Sequence, residues 1–362
     1  MKDTINNHFI QKAFAFNFSN NNEIKCLRYK TDKKWNFTKK STNQPISIKY
    51  FYSQEIEDSM NNIEAKGIRI IRKITSDANE LEEVKITRKE IYDLKFYFLL
   101  GAFRSDGSRN SIMNRSGDSL FNYLVEKDGR DAKSIQEESL KIIIDFHKNN
   151  KGIDNLNINS ETNIKEQIRI KIYNILSSEI FIFKFKKNKL FLSESHAFNE
   201  NTSYQATKYD FMPISPNVGL MFYYKCEGIE LLGFEQEDSK IFKNKISQIT
   251  NEINFKNISK INEHYSKYAL KMEKLLSKND IGIDKLEFKK IYSSKLNEIY
   301  SNDYDQYIIK VLEENEETQD ICNAMELIHS KNRLIIYQNT DDIKDAEFQI
   351  EKLNIFRIED SN

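Results

Sequence analysis

Cysteine, proline and glycine are all scarce: the 362 residues include 3 Cys, 3 Pro and 10 Gly. Cys26, Cys226 and Cys322 lie far apart with no paired spacing, which argues against a disulfide framework or a cysteine zinc site and fits a reducing cytoplasm. Few glycines leave little material for phosphate-cradling loops. Neither a Walker A motif nor Gly-x-Gly-x-x-Gly occurs, so NTP and dinucleotide binding are not indicated. The longest apolar run, Phe96 to Phe103, is 8 residues, whereas a membrane span takes roughly 20. Lys2, Asp3, two Asn and His8 precede any apolar block, so the start does not read as a secretory signal. His-Glu-x-x-His is missing, and the 5 histidines, at 8, 147, 196, 264 and 329, are dispersed. A divalent metal is thus indicated by no motif. The carboxylates that would have to cluster around one are Asp210, Glu227, Glu230 and Glu235, flanking a β region.

Aromatic residues, by contrast, are abundant. With 24 Phe, 18 Tyr and 39% apolar residues the chain can bury a sizeable core. Charged residues reach 30% and balance to zero overall, but unevenly: residues 1–50 carry 10 Lys/Arg against 3 Asp/Glu, and residues 301–362 carry 6 against 15. That polarity suits a basic surface that meets phosphates and an acidic region that competes with them or meets a protein partner; two mutually attracting solvated faces would look the same.

Residues 23–51 alternate apolar and polar side chains around a turn at Thr31–Lys34, which predicts a β-meander. From Gln54 the spacing of Ile63, Gly67, Ile70, Ile71 and Ile74 predicts a helix of roughly 20 residues with Ser53 as N-cap. A second helix is expected over 87–103, followed by a turn-rich loop, Arg104 to Arg109, and by helices over 116–126, 133–147 and 161–178. Strands are expected at 179–185, 190–192 and 218–224, with Pro213 and Pro216 bracketing the entry to the third. Helices return from Ser239, with two or three more over 284–330. Strands at 333–338 and 347–358 are expected to close a sheet. The expected fold is α+β, a helix-rich single domain with a small, mostly antiparallel sheet and an elaborated helical C-terminal third. Its core spans 1–280, and an acidic helical extension with terminal strands, 281–362, packs upon it.

The N-terminus carries His8-Phe9-Ile10 followed by Phe14, Phe16 and Phe18. The alternation of these rings predicts one buried face of a strand, and base stacking is the functional alternative. This segment resembles the opening of the bacterial domain-of-unknown-function family 4238, of the form His-[Tyr/Phe]-[Val/Ile]-Pro-x-[Phe/Tyr]-x-Leu-x-x-Phe. Further matches, in order, are Tyr52, Glu57 and Ile63-Glu64; Phe103-Arg104 and Arg109; Phe191 to His196; Pro213 to Pro216; and Asn262 with Tyr265 and Tyr268. They span about residues 5–275. Gln11 stands where the family has Pro, and Glu194-Ser195-His196 where it has Asp-Asn-Pro. The resemblance implies where a site lies and no particular reaction.

Three groups carry candidate chemistry. His8 has a side chain that exchanges protons near neutrality, although a buried histidine fixing the segment would look the same. Arg104 and Arg109, with Arg115, offer guanidinium forks for a phosphate, against ion pairs to Glu57 or Glu64 on the long helix. Ser193, Glu194, Ser195 and His196 place hydroxyl, carboxylate and imidazole after a strand. Neighbours on an extended chain face opposite ways, and no Gly-x-Ser-x-Gly elbow exists, so a serine triad is not expected. Glu194 and His196 are candidates to assist a hydrolysis or bind a metal, and an ordinary turn competes. The leading expectation is a cytoplasmic, nuclease-like effector of a toxin or phage-defence system. In it Arg104, Arg109, Ser193 and Asn262 bind the nucleic acid, and His8, Glu194 and His196 act on it. The rival is a non-catalytic binding or sensor module for a protein or small ligand.

Overall fold

The computed structural model describes residues 6–8, 10–19, 24–28, 36–40, 47–49, 52–105, 131–149, 178–201, 207–223, 306–329 and 334–352, with isolated positions at 168, 172, 175 and 176. In chain order come β1 (Asn6–His8), α1 (Lys12–Ala15) running into a 3-10 turn (Phe16–Phe18), β2 (Ile24–Arg28), β3 (Asn36–Lys40), β4 (Ser47–Lys49), α2 (Gln54–Glu80), β5 (Glu83–Thr87), α3 (Arg88–Arg104) and α4 (Ala132–Asn149). There follow β6 (Glu179–Phe185), β7 (Leu192–Ser193), β8 (Phe198–Asn201), β9 (Thr207–Ser215), β10 (Val218–Tyr223), β11 (Gln306–Glu314), α5 (Glu316–His329), β12 (Leu334–Tyr337) and α6 (Thr340–Lys352). The fold is α+β.

The larger sheet has the order β5-β11-β6-β10-β9-β8 and is antiparallel except where β11 lies parallel to β6. Its middle strand β6 is apolar on both faces because each face is covered. Ile180 and Ile182 join the core formed with α2, α3 and α4, whereas Phe181, Phe183 and Phe185 pack with Phe211, Met221 and Cys322 of α5 on the other side. At about 1.5–3 kcal/mol for each fully buried large side chain, this two-sided burial makes β6 the spine of the molecule. The second sheet, β3-β2-β12-β7, is layered likewise. Cys26 and Ile336 face the main core, and Leu27 and Ile335 face Ala324, Leu327 and Ile343 of α5 and α6.

Helix α3 starts with a capping box: Thr87 Oγ1 accepts from the Glu90 backbone N–H at 3.1 Å, and Glu90 accepts from the Thr87 N–H at 2.8 Å. Lys73 of α2 reaches the same carboxylate at 2.9 Å. The expected isoleucines of α2 are buried as the spacing requires, but the helix runs to 27 residues. Ser53 precedes it without a side-chain cap bond; its N–H instead donates to Glu137 Oε1 of α4 at 3.0 Å.

Several expectations are corrected. The aromatic ladder is not a strand: Phe14 and Phe18 are fully buried one helical turn apart, while Phe16 is only half-buried, so the operative spacing is four residues and not two. The meander breaks after its first hairpin, since β4 pairs with β1 and not with β3. Residues 306–314, expected as helix, form β11, whose alternating burial is that of a strand in a covered sheet. Residues 347–352, expected as strand, belong to α6, where Ile343, Ala346 and Gln349 share the buried side. Strands β5, β8 and β9 were not anticipated. Pro213 is tolerated within β9 because the pairing with β8 stops at Phe211, leaving no ladder partner on that side. The helices expected at 116–126 and from Ser239, and the boundary near 280, lie outside the described residues. Ile168, Ile172, Ile175 and Leu176 are helical and buried. Among the described residues no helix is long and apolar enough to cross a membrane.

Where α2 crosses α3, Gly67 admits the ring of Tyr97: a Cβ there would overlap Tyr97 Cγ. In an open helix Gly→Ala stabilises by about 1 kcal/mol, but overpacking a core typically costs about 1–3 kcal/mol. Gly67→Ala is therefore expected to lower the urea midpoint of unfolding, and a raised midpoint would contradict this packing.

Candidate functional site

Arg104 is the last residue of α3, where the chain leaves the helix. Gln136 of α4 holds that end by donating from Nε2 to the carbonyls of Phe103 at 2.8 Å and Ser105 at 3.0 Å. Its guanidinium is 2% exposed and forms a buried ion pair with Glu64 of α2. Burial pushes the guanidinium toward losing its proton, and the nearby Tyr52 and Glu57 oppose that. Of the two readings of Arg104, the ion pair to the long helix is thus present. The pair also forms the floor of a cleft of about 490 Å³ between α1 and α2. Gln11, Lys12, Ala13 and Phe16 line one wall, and Glu57, Asn61, Glu64 and Arg72, spaced along one stripe of α2, line the other. Lys12 Nζ lies 5.8 Å from the centre of the Phe16 ring.

His196 sits behind this wall. Residues 193–196 form a tight turn closed by the His196 N–H donating to the Ser193 carbonyl at 3.0 Å, with His196 at a φ of 65°, in the left-handed region. The imidazole is buried, stacked on Phe14 at 5.4 Å between centroids and edge-on to Tyr97 at 6.4 Å, with Nδ1 3.1 Å from the Glu194 carbonyl oxygen. Gly101 of α3 makes room for it, since a Cβ there would meet the ring at 2.7 Å. Burial, and then the Arg104 charge, depress the imidazole to a pKa of about 3, while hydrogen bonds with the backbone of Glu194 and Gly101 pull the other way. The ring is neutral at physiological pH.

Glu194 is equally buried. Its backbone N–H donates to the Leu334 carbonyl at 3.0 Å, and its Oε2 accepts from the Leu334 N–H at 3.1 Å, so the carboxylate prolongs the pairing of β7 with β12. Ser193 and Ser195 share a hydroxyl contact at 2.8 Å, and Ser195 donates to the Ala197 carbonyl at 3.2 Å. Ser195 and His196 therefore have different partners and make no nucleophile–base pair.

The fold thus brings Arg104, Ser193, Glu194 and His196 to one region, and the His-led motif meets them through Phe14. His8 itself is in β1, with its Cα opposite Ser47, and its side chain is outside the described residues, as are Arg109, Arg115 and Asn262. Asp210 is half-buried in β9, and Glu227, Glu230 and Glu235 are also outside. Among the described residues no three His, Cys, Asp or Glu side chains are grouped to hold a metal ion.

Sequence reasoning passed over a second buried pair. His147 Nε2 of α4 lies 2.7 Å from Asp93 Oδ1 of α3, with Lys89 at 3.6 Å and Lys66 at 4.0 Å from the same oxygen. Burial raises the Asp93 carboxyl, but His147 and the two lysines outweigh it and hold it below the usual carboxylate range. Asp93 and Lys95 are the two charges in the otherwise apolar stretch from Ile91 to Phe103, both buried, and they were the available signal. Among the cleft residues Gln11 stood out only as a departure from the family motif, and Lys12, Asn61 and Arg72 carried no signal, being ordinary surface types on short or amphipathic segments.

The chain belongs to the family described as protein of unknown function, DUF4238, whose model matches residues 6–341. Comparison with curated proteins and with solved structures gives no match. The family match runs beyond the motifs, which end near 275, and takes in β11 and β12, each an interior strand of its sheet.

Two outcomes follow from the geometry. Arg104→Met leaves the Glu64 carboxylate buried without its cation, a situation that costs about 3–5 kcal/mol. Adding Glu64→Met should recover much of the loss in urea unfolding. For His196, the native imidazole has a lower pKa than the unfolded one, so the unfolded chain binds the extra proton. Its contribution to stability is complete above the ordinary value of 6.5 and declines as pH falls toward 3. Wild type should lose up to about 1.4 kcal/mol per pH unit in that window, and His196→Asn, which suits the left-handed turn, should flatten the slope.

Proposed function

We propose that the chain is a recognition module whose cleft between α1 and α2 binds an anionic ligand. The observation that carries this reading is the division of labour among the candidates. Arg104 with Glu64 floors a solvent-facing cleft edged by Lys12 and Arg72, whereas Glu194 and His196 are 1% exposed and committed to internal partners. A general acid or base must come within about 3 Å of the proton it moves. Glu194 and His196 lack that access, and a depressed, neutral imidazole is a poor proton donor at pH 7.

Lys12 and Arg72 can attract a phosphate or carboxylate at the rim, where the neighbouring buried floor strengthens the attraction. Binding of inorganic phosphate or pyrophosphate to the full chain, followed by thermal shift and calorimetry, tests this. Saturable stabilisation is expected, reduced at least about tenfold in affinity by Arg72→Ala, a loss of about 1.4 kcal/mol. The nuclease-like effector reading then rests on His8, whose side chain alone of its three proposed catalytic groups lies outside the described residues. Incubation with RNA and DNA, with and without Mg²⁺, separates the two: cleavage by wild type that His8→Ala abolishes would replace the recognition module with the nuclease.

A further inference from the structure

We infer that the ligand of the cleft is a nucleotide, with its base stacked on Phe16 and its phosphate held by the exposed Arg72 of the opposite wall. This rests on the cleft being an anion-binding site and adds the identity of the anion's other half. Phe14 and Phe18 are fully buried on the core side of the α1 turn, but Phe16 is half-buried and turns its ring into the cleft. An aromatic ring kept out of the core, beside Ala13, provides a flat apolar surface in an otherwise charged wall. Lys12 Nζ lies 5.8 Å from the ring centre, a cation beside the electron-rich π-face on the same wall.

Gln11, next to Lys12 and on the same wall, has its Oε1 buried with no hydrogen-bond partner. A buried acceptor left unmade costs roughly 1–3 kcal/mol, and the exocyclic amine of a base is a donor that would satisfy it. Facing this wall are Arg72 and the floor guanidinium Arg104, offset by Glu57 and Glu64. Among the described lining residues three cations stand against two carboxylates, which favours a small anion over a long polyanion. A cleft of about 490 Å³ is within the roughly 300–1,000 Å³ usual for small-molecule sites and has room for one such unit. A π-face, an amine donor and a phosphate in one small molecule describe a nucleoside monophosphate or a single nucleotide of a strand.

Base–aromatic stacking is worth about 1–3 kcal/mol per base, or about 5- to 150-fold in affinity. Calorimetry of the full chain with AMP, ribose 5-phosphate and inorganic phosphate should therefore rank AMP at least about fivefold tighter than ribose 5-phosphate. Phe16→Leu should erase that preference while leaving phosphate binding intact, and Phe16→Tyr, which restores a ring, should restore it. If ribose 5-phosphate binds as tightly as AMP, or if Phe16→Leu leaves AMP affinity unchanged in a protein that still unfolds cooperatively, the nucleotide assignment fails and the anion-binding cleft stands. If none of the three probes binds, both fail.

Discussion

One buried ion pair, Arg104 with Glu64, constrains everything around it. Two charges taken out of water are tolerable only together, so the end of α3 and the middle of α2 must meet at this point. Gln136 satisfies the α3 carbonyls beside Arg104 and brings α4 to the same place. Glu57 supplies further negative potential and the Tyr52 hydroxyl a hydrogen bond, which help Arg104 remain charged in a setting that disfavours charge. Because the pair lies at the floor of a cleft and not in an apolar core, the crossing of α2 and α3 also determines where a polar concavity opens.

The N-terminal motif closes that concavity by a different force. Phe14 stacks on His196 and touches Tyr97 edge-on, and this packing fastens the short α1 turn over α3 and the β7 turn. A four-residue helix has little stability of its own, so its position is set by tertiary contact. His196 can occupy its place because Gly101 has no side chain and because the turn allows it a left-handed backbone. Glu194, two residues earlier, ties the same turn to β12 near the far end of the chain. The wall of the cleft thus depends on residues near 14, 104, 196 and 334 at once, which is why the C-terminal segment is part of the fold's interior.

This arrangement also reverses the apparent importance of the residues. Serine, glutamate and histidine within four positions attract attention because each is a chemical group with catalytic uses, yet their burial converts them into hydrogen-bonding and packing elements. Phe16, Gln11 and Arg72 are unremarkable types whose access to the cleft makes them available to a ligand. Solvent access and not chemical type separates the two sets, and access is a property of the assembled surface.

Much of the scaffold was legible from local pattern: the isoleucine spacing of α2, the helix α3, the apolar run of β6 and the antiparallel hairpin of β2 and β3. In each, short-range periodicity and tertiary burial agree. The family was legible too, through motifs read in order, as was the partnership of Arg104 with Glu64 as one of two readings. Where local pattern was ambiguous, tertiary structure decided. Phe14, Phe16 and Phe18 fit a strand as well as a helical turn until His196 and Tyr97 selected the turn, and β11 became a strand because β5 and β6 leave it a place between them. By itself the sequence determined an α+β fold and its family, since periodicity and ordered motifs are local properties. Which polar groups face water and which are spent inside was decided only by tertiary structure, because burial is set by partners far away in the chain.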